Sequence, residues 1–209
     1  MQMIPISLPW RPDALGIIQS ALTLAKTEFD KGKPISTNYG IDGSTFRAYR
    51  GFGSSPSDLY QKWVKEDGFR QLKGQQISSR EALLLLRDKL DASLIEHWGR
   101  SANDLKLFQR NKLIDLFLKA ITFSTGHECI EQRLGLFQFA NVPLDKWSLL
   151  AVKKLFYGIV ISRNPSMGDI EDKETYDFLQ DQIFQLTLRA NVPNLVFDYY
   201  AWNSFHRTR

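Results

Sequence analysis

The chain has 209 residues, 43% of them hydrophobic and 12% aromatic, including five Trp and fourteen Phe; that is enough for one substantial core and too much for a disordered or linker-rich protein. A single cysteine, Cys129, excludes an intramolecular disulfide framework and fits a reducing, cytoplasmic setting. The opening MQMIPISLPWRPD lacks the basic start and apolar run of a secretory signal, and no apolar run approaches the length of a membrane span. The formal charge of +4 and the pI near 9.1 are mild but unevenly placed: residues 44 to 120 hold fourteen Lys or Arg against nine Asp or Glu, and residues 121 to 209 hold nine against ten. Such a central basic excess attracts phosphate backbones, and solvated helices commonly carry it as well.

The elements follow in chain order. From Arg11 to Phe29, Leu15, Ile18, Leu22, Ala25 and Phe29 recur at three-to-four spacing behind Pro12 and Asp13, which predicts an amphipathic helix. The next stretch, KGKPISTNYGIDGSTFRAYRGFGSSPSD, is the longest breaker-rich segment. It predicts a long irregular loop near residues 31 to 56, with extended pieces at Thr45 to Tyr49. Arg47, Arg50 and the pair Gly51/Gly53 could approach a phosphate there, although a Gly-x-Gly without a flanking strand is more often a surface loop.

Helical signals then dominate. Ser57-Asp58 is read as the cap of LYQKWVKEDGF, and Ser78 with Glu81 forms a capping-box pattern ahead of a helix ending near Gly99. Asn103 or Asp104 caps a segment carrying Leu105, Phe108, Leu113, Leu116 and Phe117 down to Ile121. Asp145 opens KWSLLAVKKLFYGIVI, Asp172 or Glu174 opens TYDFLQDQIFQLTLRA, and after Pro193 the aromatic NLVFDYYAWNSF reads as a last helix. RNPSMGDIEDKE, at 163 to 174, is a polar connection with an acidic tail. No segment alternates with the two-residue period of a strand. The expectation is one mainly α domain over residues 1–209, with seven or eight helices.

Three scattered histidines, His97, His127 and His206, give no metal-ligand spacing, and no nucleophile elbow, phosphate-binding loop or dinucleotide fingerprint occurs. No metal or other cofactor is expected. Cys129 lies two positions from His127, and residues so spaced on a helix point apart, so a buried core thiol is the expectation.

The stretch ITFSTGHECIEQRLGLFQFANVPLDKW, 121 to 147, carries a resemblance. A helix ending near Phe123, a Ser-Thr-Gly turn, a second helix from about His127 to Phe139 and then Asn-Val-Pro-Leu-Asp resemble the core of the helix-hairpin-helix DNA glycosylase superfamily over roughly residues 115–147. The resemblance implies that the turn around Thr125 and Gly126 grips a DNA phosphate and that Asp145 stabilises the cationic sugar as a base departs. Where bifunctional members carry a lysine, eighteen positions before the carboxylate, this chain has His127, which has no amine for a Schiff base. A water-using monofunctional reaction, or a catalytically degenerate relative, is therefore implied. Asp145 and His127 are the candidate catalytic residues. Arg47, Arg50, Arg110, Lys112, Thr125, Gly126 and Lys146 are the candidate DNA contacts, and Trp147, Tyr199 and Trp202 the aromatics that would flank an extruded base. Residue by residue, the plainer readings are a helix cap for Asp145, a surface residue at a helix start for His127, and core or interface packing for the aromatics. The alternative function is a non-catalytic helical adaptor or accessory protein that binds a protein partner or self-associates; under either reading no membrane is involved.

Overall fold

The structure, a computed structural model, describes residues 9–41, 43–46, 49, 55–99 and 105–206. Its α-helices are α1 (Ala14–Lys31), α2 (Gly43–Phe46), α3 (Pro56–Trp63), α4 (Phe69–Leu72), α5 (Arg80–Trp98), α6 (Leu107–Phe123), α7 (Arg133–Phe139), α8 (Lys146–Leu155), α9 (Lys173–Arg189) and α10 (Val196–Phe205). The two short strands β1 (Lys33–Pro34) and β2 (Ser124–Thr125) pair in parallel, Lys33 opposite Ser124 and Pro34 opposite Thr125. The protein is mainly α.

Helix α6 is the axis of the core. Leu113, Ile114, Phe117, Leu118 and Ile121 are fully buried, so apolar side chains cover more than one stripe of the helix, as a central helix requires. It packs against α5 and α7, while α10 lies across α1 and α8. Helices α3 and α4 form one run joined by a π-helical turn at Val64–Gly68. At Gly68 a Cβ would stand 3.2 Å from the Phe117 ring, so the missing side chain lets this run sit directly on α6.

Several boundaries differ from expectation. The cap of α5 is Ser79, one residue after Ser78; its Oγ accepts the Ala82 N–H at 3.2 Å. Helix α8 stops at Leu155 instead of running on through Ile161. Trp10 pairs antiparallel with Phe156, and the Tyr157 N–H is donated to Pro9 at 2.9 Å, so the opening of the chain takes the backbone bonds that a longer helix would use. Gly158, at φ 77°, then turns the chain away. The predicted 31–56 loop holds β1 and α2 and is pinned from within. Ile41 and Tyr49 are buried, and the Tyr49 hydroxyl donates to the Gln109 carbonyl at 2.9 Å. Arg47, Arg50, Gly51, Gly53, Asn103 and Asp104 lie outside the described residues.

The largest correction falls on the hairpin. Ser124 and Thr125 are strand rather than turn, and the helix expected from His127 begins only at Arg133, after a 3-10 turn at Ile130–Gln132. Helix α7 then approaches the connection before α5 so closely that a Cβ on Gly135 would stand 2.2 Å from the Ile77 carbonyl oxygen. Since that neighbour is backbone, Gly135→Ala is expected to destabilise the fold by about 1–3 kcal/mol or more, read as a lowered midpoint in urea unfolding.

Candidate functional site

One face of α6 presents Lys112, Leu116, Lys119, Ala120 and Phe123 to a groove of about 400 Å³, within the range of small-molecule sites. The opposite wall is α10, with Asp198, Tyr199 and Trp202. β1 supplies Lys33 and Pro34, and the extended approach to α8 supplies Pro143 and Asp145. A second lobe of about 360 Å³ adds Leu24 and Glu28 of α1 and shares Lys33, Lys119, Asp198, Tyr199 and Trp202 with the first.

Asp145 is the N-cap of α8. Its Oδ1 accepts the Trp147 N–H at 2.8 Å and the Ser148 N–H at 3.1 Å, and its own N–H is donated to the Ser148 hydroxyl at 2.7 Å. The cap therefore uses one carboxylate oxygen. Oδ2 makes no hydrogen bond among the described residues. The two expected roles of Asp145, cap and groove carboxylate, are thus compatible in one side chain.

Asp198, on the first turn of α10, is 3% exposed. Lys119 Nζ stands 2.5 Å from its Oδ2 and 5.7 Å from the Trp202 ring centroid. Burial pushes the Asp198 carboxyl above its ordinary range, Lys119 pulls it down, and the charge of Asp145 pushes it further up. That electrostatic influence links the two carboxylates across the groove. Lys33 reaches Glu28 at 3.4 Å, whereas Lys112 has no ion pair among the described residues. The Tyr199 ring lies against Phe123 with centroids 5.0 Å apart, and Trp202 against His206 at 4.2 Å.

Of the residues singled out in the sequence, Asp145, Lys112, Tyr199 and Trp202 meet in this groove. Among the other described candidates, His127, Arg110, Lys146, Trp147, Thr125 and Gly126 do not line it. His127 ties down its own turn: Nδ1 accepts the Cys129 N–H at 3.2 Å, which leaves Nε2 as the donor toward the Ile121 and Ser124 carbonyls, each at 3.2 Å. Burial lowers its pKa, and the ring is the neutral Nε2–H tautomer. Arg110 is held by Asp91 at 2.8 Å and the Leu105 carbonyl at 2.9 Å. Lys146 donates to Asn164 at 3.2 Å, and Trp147 packs on His206 with centroids 5.5 Å apart. Thr125 faces Gly32 across the strand pair, and Gly126, at φ 73°, makes the turn that follows. Cys129 is fully buried, and burial pushes its thiol up to about 11, leaving it protonated and inert near neutrality.

Lys119, Asp198 and Lys33 were not foreseen. One signal was available: Asp198 is the only charge within the aromatic run NLVFDYYAWNSF, where a carboxylate must find a partner or a function. Among the described residues no group of three or more His, Cys, Asp or Glu is placed to hold a metal ion, and no helix is long and apolar enough to cross a membrane.

No protein-family model, curated protein or solved structure matches the chain. Its function has to be argued from the groove itself.

Proposed function

We propose that the protein acts on DNA in the manner of the helix-hairpin-helix glycosylases it resembles over residues 115–147, by a water-using monofunctional reaction or as a catalytically degenerate relative. One observation carries the reading: Asp145 lines a groove with lysines and two aromatic rings while its cap occupies only Oδ1. In this reading an extruded base meets the Tyr199 and Trp202 side chains that line the groove, Asp145 faces the sugar where positive charge develops, and Lys33 and Lys112 take the flanking phosphates. The phosphate contacts are assigned to these lysines because residues 124 to 127 form a strand and a turn closed by His127.

Duplex binding tests the reading. With two lysine-phosphate contacts, log Kobs for a labelled duplex oligonucleotide is expected to fall against log salt concentration with a slope of about −2, measured by fluorescence anisotropy. No binding at low ionic strength, or a flat salt dependence, overturns it. The non-catalytic adaptor would then stand, favoured by a separate apolar groove of about 350 Å³ between Ile159–Ile161 and Phe178, at whose edge Val160 is fully exposed.

A further inference from the structure

Breaking an N-glycosidic bond separates charge: the sugar becomes cationic, and a neutral base departs with the electron pair of the bond. The groove holds one fixed charge suited to each side. Asp145 enters from the start of α8, and Lys119 enters from α6, common to both lobes. Lys119 is not a loose surface lysine. Its side chain is only 25% exposed, with Nζ held 2.5 Å from the nearly buried Asp198 carboxylate. An ammonium group carries three N–H donors. Asp198 takes one, so the others remain for a ligand. Lys33 by contrast is 68% exposed, as a lysine serving a phosphate outside the groove would be.

We propose, resting on the glycosylase reading above, that Lys119 is the catalytic residue that receives the departing base, and that the substrate class is a neutral base leaving as an anion rather than a base already cationic. Asp198 is the positioning residue that holds Lys119. In this step the bond from the sugar C1′ to the base nitrogen breaks, and its electron pair goes to the base. Lys119 Nζ–H donates to the resulting anion and gives it a proton. Water forms the new C1′–O bond and passes its proton to Asp145. That proton returns to Lys119 through solvent, so nucleoside and water give free base and a sugar hydroxyl. A cationic base would gain nothing from this lysine, because it departs neutral, and it would meet a like charge in a partly desolvated groove.

The test uses duplex oligonucleotides carrying either uracil, which leaves as an anion, or N7-methylguanine, which is cationic and leaves neutral. The wild-type protein is expected to release uracil in preference. Lys119→Gln should lower uracil release by about 10²–10⁴-fold, the usual range for a lost general acid, and change N7-methylguanine release less than about threefold. Lys119→Gln strips the cation from a buried carboxylate. If that variant does not fold by circular dichroism, the double variant Lys119→Gln/Asp198→Asn, which removes both charges, should show the same dependence on the base. Equal losses with both bases, or a wild-type preference for N7-methylguanine, overturn the proposal while the glycosylase reading stands. Release of neither base by folded wild-type protein that binds duplex overturns the proposal and leaves the catalytically degenerate form of the reading; no release and no duplex binding overturn both.

Discussion

Asp145→Asn is expected to lower base release by about 10³-fold, with duplex affinity changed less than about threefold. The magnitude follows from removing a full charge placed where positive charge develops in a transition state, an effect at least as large as losing one oxyanion-hole donor. The substitution is informative because of what it preserves. Asn is as good an N-cap as Asp, and its side-chain oxygen can accept the same Trp147 and Ser148 N–H groups that Oδ1 accepts now. Helix α8 and the wall it builds should therefore survive, with a thermal midpoint close to wild type. Asp145→Ala removes cap and charge together and should cost about 1 kcal/mol of stability as well. A large loss of release in Asp145→Ala with little loss in Asp145→Asn would assign the residue to capping alone and end its catalytic role. Single-turnover base release beside thermal unfolding of both variants separates the two contributions.

The pattern of success and failure in the sequence is physical. Helices α1, α9 and α10 were legible because each buries a stripe of apolar residues at helical spacing, and the Asp172 cap announced the start of α9 through its bond to Thr175 N–H at 2.6 Å. Asp145 was legible for the same reason, as a carboxylate just before an apolar helix. What failed depends on contacts far apart in the chain. Ser124 and Thr125 are strand because Lys33 and Pro34 lie beside them, and no local window contains both. The start of α7 was misplaced because HECIEQ has no apolar stripe to set a phase, while Gly126 and the His127 ring close a turn. The groove follows the same rule. Lys119 and Asp198 become a site only once α6 and α10 are brought together, Lys119 reading alone as one of the four charges of α6 and Asp198 as the one charge of α10.

The second large effect belongs to the core. Arg87→Met is expected to destabilise the protein by about 3–5 kcal/mol, the usual cost of removing one partner from a buried ion pair. Asp115 is fully buried and Arg87 nearly so. Arg87 donates to Asp115 Oδ1, to Asn111 Oδ1 at 2.9 Å and to the Tyr176 hydroxyl at 2.9 Å. Tyr176 in turn donates to Asp115 Oδ2 at 2.6 Å and accepts from Asn141 at 2.9 Å. Burial pushes the Asp115 carboxyl up, while the guanidinium beside it and the Tyr176 hydroxyl pull it down. Methionine removes the main downward pull and leaves a carboxylate in the dry core with one donor. The carboxyl then takes a proton at a higher pH in the folded variant than in the unfolded chain. The sign follows: a raised carboxyl contributes stability below its unfolded range, near 4, and loses it as pH rises through the folded value. The Arg87→Met deficit should therefore shrink as pH falls from 8 to 5. For a chain of this size the loss at neutral pH corresponds to a drop in midpoint on the order of 10 °C. Replacing both partners, Arg87→Met with Asp115→Leu, removes the unpaired charge and should recover part of it. Urea unfolding at pH 8 and pH 5 measures all three effects; a single-variant deficit independent of pH would mean that Asp115 stays charged without Arg87, with Tyr176 as the sufficient partner.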